Sequence, residues 1–577
     1  MKKLTLFFAA LLFFLLPLKF GGLAVMPESG GFYPENLTDW LYITWPPHSL
    51  AFFGTVLLIM ATAVYREKLK LKLSLFALAW SVFPALAVAG GVIRGDWVLA
   101  LAEWSLLLGC GTVIAAAALI LNKEPDRALL FVGAVLAGTV FTAFLGWDQH
   151  LFSLDEMRRF VAEQEATGIP VSESMRLKLT DPRVFSTLAS SNALASLLMI
   201  MCVIGFYISE VWSRKITPPE TAKNILRGFF LILFISVLVL TRSRSAVFCP
   251  VAAGVLSLFS TDKINWKWRI AGLAAGAAML AAGVIIAAAA GRGFASMGER
   301  ADYLRTSAVL ALRYPLAGSG WGGFFKNHMQ MKYSDIQETA RDPHNVAAKF
   351  ASQCGIPAGL VMLFVLIFPL VLLWKHRFEK SLQGAVFWCG VIFTIHSLID
   401  CDWQVPALIS IMGILYAAAI SQMQDDKQFS FPAWSVAFPL AAAACWTSYI
   451  YLAGDMALTK LQDKVNPATP EMVQKYAPYS VEMLAKGVEK YRSRQATVSI
   501  FCGDWYMKQR DLKQAQFYYR QALEIDPCRP AVCIRLARIA LIEDNESEAE
   551  KLVLQAQKLF PKSNKFSMEK LRTDLNL

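Results

Sequence analysis

The chain has 577 residues, 56% of them hydrophobic and only 17% charged, with a mean hydropathy of +0.44. Soluble globular proteins average about 25% charged residues, so the deficit argues against a cytosolic enzyme; disorder and a disulfide-dense secreted scaffold are also excluded. The net charge of +12, from 56 basic and 44 acidic residues, could suggest nucleic acid, but its placement in short loops between apolar blocks matters more than its size. Those blocks run to about 20 residues, the length that crosses a hydrocarbon core of about 30 Å, so the fold expected is an all-α polytopic membrane bundle. Seven of the ten cysteines (Cys110, Cys202, Cys249, Cys354, Cys389, Cys401 and Cys445) lie in or beside apolar blocks. Such cysteines behave as small hydrophobes.

The N-terminus, MKKLTLFFAALLFFLLPL, is a basic start and an apolar run, without a clean small-x-small cleavage site before Pro27. The next segment carries Glu28, Glu35 and Asp39 and is expected outside; a span near 49–65 then returns to Arg66, Lys68, Lys70 and Lys72. Continuing the alternation gives about thirteen spans, near 4–26, 49–65, 73–93, 98–121, 128–147, 185–208, 226–241, 245–260, 270–290, 356–374, 384–399, 404–421 and 432–453. Inside loops then hold Lys123/Arg127, Arg214/Lys215/Lys223/Arg227, Lys263/Lys267/Arg269, Lys375/Arg377/Lys380 and Lys427. Three polar regions fall outside: about 148–184, about 291–355 and everything after about 453.

The expected division is a membrane core over 1–453, with 291–355 as its large outside loop, and a helical-repeat tail over 454–577. The tail has a period of 34, in Gly503/Ala537, Ala515/Ala549, Ala522/Ala556 and Pro527/Pro561, with Tyr506 and Tyr519 at large-residue positions. Small residues where paired helices approach, and Pro after the second helix, are the tetratricopeptide signature. Residues 462–495 would be a degenerate or capping third unit, and 496–563 a surface for a protein partner.

Chemistry at the outer face must come from the outside loops and helix ends. Arg242 and Arg244, in Thr241-Arg-Ser-Arg-Ser245, suit a bidentate anionic partner such as diphosphate; headgroup anchoring is the alternative. Asn192 follows the Arg183-Val-Phe-Ser stretch at a span entry and reads equally as ligand contact or helix-start cluster. Arg300 and Arg305 precede a glycine-rich turn, Gly318-Ser-Gly-Trp-Gly-Gly323, which suits close backbone approach to a ligand better than dinucleotide binding. Asp342-Pro-His344-Asn345 places an imidazole in a polar setting just before a span, where it could take a proton from a hydroxyl; a plain loop histidine is the alternative. Asp400-Cys-Asp402 makes only a weak divalent-metal signal, so no metal site is assigned.

At these residues the chain resembles the family of O-antigen ligases, O-antigen polymerases and bacterial protein O-oligosaccharyltransferases. The resemblance covers about 40–425 and rests on Arg183…Asn192, the run Ser243-Arg-Ser-Ala246, Arg300…Tyr303…Gly320…Phe324, Pro343-His344-Asn345…Gly355 and His396…Asp400. Ser191, Tyr303 and Gln353 stand where Pro, Trp and an acidic residue are frequent, so a carboxylate role at 353 is weakened. The thirteenth span and the repeat tail are additions to the ligase core.

The resemblance implies a GT-C-like enzyme in the bacterial inner membrane, with catalytic loop and tail periplasmic. It implies metal-independent, inverting transfer of a glycan from a polyprenyl-diphosphate donor to a hydroxyl, with lipid A-core as the ligase-type acceptor. His344 and Asn345 would be catalytic; Arg183, Arg242, Arg244, Arg300 and Arg305 would bind the diphosphate; Asn192, Gln353 and Asp400 would support them. No cofactor is implied. A polymerase, a protein O-glycosyltransferase, and a non-enzymatic transporter or scaffold stay open as alternatives, and the scarcity of mid-membrane ionisable residues disfavours the transporter.

Overall fold

The computed structural model describes residues 1–22, 37–65, 69–95, 97–166, 179–188, 190–214, 218–261, 265–289, 295–333, 340–424, 433–467, 470–492, 495–560 and 566–575. Among these there is no β-strand. Of the residues used above for orientation and repeat register, Pro27, Glu28, Glu35, Arg66, Lys68, Lys215, Lys263, Lys427 and Pro561 lie outside them.

In chain order the core helices are α1 (Lys2–Lys19), α2 (Leu50–Val64), α3 (Leu71–Ser81), α4 (Phe83–Val92), α5 (Trp97–Lys123), α6 (Ala128–Asp148), α7 (Leu154–Ala166), α8 (Ser191–Ser213), α9 (Pro219–Leu240), α10 (Ser245–Phe259) and α11 (Trp266–Ala289). They continue with α12 (Ala295–Arg313), α13 (Gly323–Met331), α14 (Val346–Cys354), α15 (Ile356–Leu373), α16 (Leu382–Ser397), α17 (Pro406–Ser421) and α18 (Ala433–Val465). Among the described residues, eight helical stretches are long and apolar enough to cross a membrane, and α10, α16 and α17 are shorter apolar helices. The protein is a multi-pass membrane helix bundle with a helical C-terminal region. The remaining two expected spans, 4–26 and 270–290, coincide over most of their length with α1 and α11. Pro84 at the start of α4 breaks the 73–93 stretch into two helices, because proline removes a helical hydrogen bond.

Every residue of α17 is buried. A helix apolar on all sides belongs at a bundle centre, and α17 is packed by α1, α3, α5, α6 and α16. Its N-terminal end, the turn 398–405 after α16, therefore stands on the fully buried helix at the bundle centre. The charged and polar residues of 398–404 gather the other parts of the site around that turn.

Helix α18 is 33 residues long, about 50 Å at 1.5 Å per residue, more than a bilayer core requires. It packs on α2 and α5 and then on helices of the tail. The expected division at 453/454 falls inside this continuous helix. The tail comprises α19 (Pro470–Tyr476), α20 (Val481–Glu489), α21 (Ala496–Lys508), α22 (Leu512–Ile525), α23 (Pro530–Ile542), α24 (Glu546–Leu559) and α25 (Met568–Leu575). The pairs α21/α22 and α23/α24 are the two 34-residue units. Ala515, Ala522, Ala537, Ala549 and Ala556 are all fully buried. A side-chain carbon on Gly503 would meet the Tyr519 ring at 2.5 Å, so the small residue is needed where the helices cross. The tail also touches the end of α13 and the segment between α13 and α14: Gln330 donates to Cys528 Sγ at 3.6 Å, and Lys332 Nζ lies 4.0 Å from the centre of the Phe560 ring.

Candidate active site

The turn after α16 collects side chains from four other parts of the chain. Asp400 Oδ2 accepts from Asn192 Nδ2 at 2.6 Å and from Arg300 at 3.3 Å. Its Oδ1 lies 3.6 Å from His344 Nδ1. His344 is therefore oriented as in a carboxylate–imidazole dyad: Nδ1 faces Asp400 and, at 3.2 Å, Cys401 Sγ. Nε2 has no protein partner among the described residues, and the side chain is 33% exposed. Tyr303 stacks on the ring with centroids 6.0 Å apart, which fixes its plane.

The backbone around His344 is held from Asp342. His344 has φ +54°, a left-handed conformation uncommon for any residue that carries a Cβ. Its N–H donates to Asp342 Oδ1 at 3.0 Å, closing an Asx-type turn. Asn345 caps α14, its Oδ1 accepting from Ala348 N at 2.9 Å, while its Nδ2 donates to Leu398 O at 2.8 Å. Its side chain thus ties the His344 loop to the end of α16.

Electrostatics follow from these contacts. Burial would lower the His344 pKa, but the nearby Asp400 carboxylate, with Asp342 behind it, outweighs that and holds it above the ordinary histidine value. Burial would likewise raise Asp400, but His344 and the nearby His396 hold its carboxyl well below the usual carboxylate range. His344, Asp400 and Cys401 bring one nitrogen, one oxygen and one sulfur within 4.8 Å of one another. Burial and the Asp342 and Asp400 carboxylates push the Cys401 thiol far up. Arg300 on the same carboxylate adds positive charge.

The arginine turn between α9 and α10 is stapled from below. Ser243 Oγ donates to Asn192 Oδ1 at 2.8 Å and lies 2.7 Å from Ser245 Oγ. Ser245 Oγ lies 2.8 Å from His396 Nε2, and His396 Nδ1 lies 2.8 Å from Asp402 Oδ2, which also accepts from Ser196 at 3.0 Å. With both serines buried beneath, Arg242 and Arg244 are exposed on the opposite side of the turn. One hydrogen-bonded chain therefore joins the arginine turn to the Asp400–His344 dyad through Asn192. Asp400 and Asp402 serve different partners and do not form a paired acidic site.

Arg183, Arg300 and Arg305 differ in what they pair with. Arg183 makes a two-point contact with Asp181, at 2.7 and 2.6 Å, and Arg242 adds to the positive field on that carboxylate. Arg300 donates to Ile399 O at 2.9 Å as well as to Asp400. Arg305 is not brought to the cluster: it pairs with Asp302 at 2.8 Å and lies 4.2 Å from the Tyr333 ring centre, bracing α12 against the end of α13. Gln353 is buried, and its Oε1 accepts from Gly322 N at 2.8 Å. The glycine turn approaches the protein's own backbone: a side-chain carbon on Gly320, where φ is +97°, would meet the Arg94 carbonyl at 2.6 Å. Three residues that sequence reasoning passed over, Glu103, Lys349 and Gln404, converge on Asp342 or its partners. The only sequence signal for them was an acidic residue in an apolar span (Glu103) and a lysine one turn into α14.

No curated protein matches the chain. Residues 506–568, which run from Tyr506 in α21 through α22, α23 and α24, match the family model described as tetratricopeptide repeat. Residues 229–364 match the family model described as O-antigen ligase; they contain Arg242, Arg244, Arg300, Tyr303, His344, Asn345 and Gln353, and this stretch of the chain is similar to that family.

Proposed function

We propose that the chain is an O-antigen ligase-like glycosyltransferase of the bacterial inner membrane, moving a glycan from a polyprenyl-diphosphate carrier to a hydroxyl of a lipid A-core acceptor at the periplasmic face. The observation that carries this reading is the His344–Asp400 dyad linked through Asn192 to the Arg242/Arg244 turn, within and beside the segment that matches the ligase family. His344 Nε2 takes the acceptor O–H proton as the oxygen attacks the anomeric carbon. Asp400 stabilises the imidazolium that forms. The bond from the anomeric carbon to the phosphate oxygen breaks on the opposite face, so the configuration inverts. The departing diphosphate carries its charge onto Arg242 and Arg244, with Arg183 beside them. Diphosphate is a good leaving group, so this scheme calls on no metal or cofactor.

A second reading, transfer to a protein hydroxyl, is favoured by one observation: the repeat tail packs on α13 and the segment after it, close in sequence to the base loop. Glycan analysis of a deletion strain tests the proposal. Loss of polymer-bearing lipopolysaccharide with accumulation of the lipid-linked polymer is the ligase result. Short chains identify a polymerase and an unglycosylated protein identifies a protein transferase. Unchanged glycans on all three would contradict the proposal.

A further inference from the structure

Lys349 and Glu103 form a buried ion pair that no part of the proposed chemistry uses. Lys349 is 5% exposed and Glu103 is 5% exposed. Burying two charges costs several kcal/mol per ion in real proteins, and replacement by apolar residues often leaves stability unchanged or better. Such a pair, with Glu103 on an apolar span, therefore points to a role besides stability.

The geometry shows what the pair holds. Lys349 Nζ lies 3.1 Å from Glu103 Oε1 and 3.3 Å from Asp342 Oδ2. The same Asp342 oxygen accepts from Gln404 Nε2 at 2.6 Å, while Asp342 Oδ1 takes the His344 N–H. Lys349 Nζ also sits 4.9 Å from the centre of the Trp321 ring, in the glycine turn. Glu103 belongs to α5, which packs along the fully buried α17, so it is a fixed point. The line of contact runs from α5 through Glu103, Lys349 and Asp342 to the left-handed backbone of His344. Without Lys349, Asp342 would face Glu103 with no cation between them, and the turn that imposes φ +54° on His344 would lose its anchor.

We infer that Lys349, braced by Glu103, is a positioning residue that fixes the general base through Asp342. This rests on the proposed role of His344. Misplacement of a reacting group by about 1 Å can cost about 100-fold in rate, so the loss belongs in kcat, while the donor, held by the arginine turn, keeps its KM.

The test uses the full chain purified in detergent with a lipid-linked donor and acceptor. Lys349→Met alone leaves two buried carboxylates and should lower Tm. The double variant Glu103→Gln/Lys349→Met removes one charge of each sign at nearly constant volume and should recover Tm. The inference expects the double variant to stay about 10- to 100-fold down in kcat, with donor KM within about threefold of wild type. A double variant with wild-type kcat overturns it, because a pair needed only for charge balance is satisfied by removing both members. A raised donor KM at unchanged kcat overturns it as well. Should the double variant fail to fold, Asp342→Asn, which keeps the shape but not the charge that Lys349 holds, is read by the same split and must show the same kcat loss. His344→Ala is assayed alongside. Near-normal turnover there overturns the base assignment and this inference together, whereas a dead His344→Ala beside an unimpaired double variant overturns this inference alone.

Discussion

Asp400→Asn separates the charge of the dyad from its shape. His344 Nδ1 and Asp400 Oδ1 are 3.6 Å apart, and two unit charges at that distance attract by roughly 4–5 kcal/mol at an effective dielectric of about 20. His344 is 33% exposed and Arg300 opposes it on the same carboxylate, so about half of that, ~2 kcal/mol, remains for the imidazolium that forms as the acceptor loses its proton. At 1.4 kcal/mol per tenfold, kcat should fall about 30-fold. The pH profile gives a second, independent readout. Asp400 helps to hold His344 above its ordinary value, and a base works only when neutral, so wild-type activity is lost as pH falls through that raised value. Removing the carboxylate charge lowers the His344 pKa, and the acid limb of kcat should move to lower pH. A variant with wild-type kcat, or one whose acid limb stays in place or moves up, would refute the dyad. The assay is single-turnover transfer from a lipid-linked donor between about pH 5.5 and 8.5, a window chosen around the histidine reference of about 6.5.

Four further outcomes follow from the same geometry. Arg242→Lys and Arg244→Lys should each lose most activity despite keeping charge, and the Ala variants more, because a lysine cannot make the two-point contact; near-wild-type turnover in both Lys variants would return these residues to headgroup anchoring. His396→Ala removes the support under Ser245 and should raise donor KM more than it lowers kcat, the reverse of the split expected for Lys349; an unchanged KM would mean that the staple does not set the arginine turn. Truncation after Pro467 should leave the membrane core folded and reduce transfer to the native acceptor or loss of a pull-down partner should accompany it; unchanged acceptor use and partners would make the repeats dispensable. Single cysteines introduced at Lys326 and Lys513 should react with an impermeant thiol reagent in intact cells, and labelling only after permeabilisation would invert the proposed topology.

The chain made some of this legible and hid the rest for physical reasons. The bundle, its helix positions and the repeat tail follow from apolar block length and a 34-residue spacing, both of which are local properties. His344, Arg242 and Arg244 stood out because polar residues at the ends of apolar spans are expensive unless they serve something. The pairing of side chains was far less accessible. Glu103 and Lys349 are 246 positions apart, and a lysine one turn into a helix reads as an exposed residue until the fold buries it. Arg305 and Arg183 carried a signal that could have been used: Asp302 lies one helical turn before the first, and Asp181 two residues before the second. Gln353 stands where an acidic residue is frequent in the family that the chain resembles, and its contact shows what the amide does here, accepting from the Gly322 N–H. The stretch of glycines looked like a ligand cradle, but what comes close to it is the backbone of Arg94 and Gly95.

The central claim is that His344 takes the acceptor proton while Arg242 and Arg244 hold the donor. The most direct measurement is turnover and donor binding of His344→Ala on one preparation. Loss of a general base costs about 10²–10⁴-fold in rate, so transfer should fall by at least about 100-fold while the Kd for the lipid-linked donor stays within about threefold of wild type. Near-normal turnover, or a loss of donor binding that accounts for the whole defect, would contradict the account.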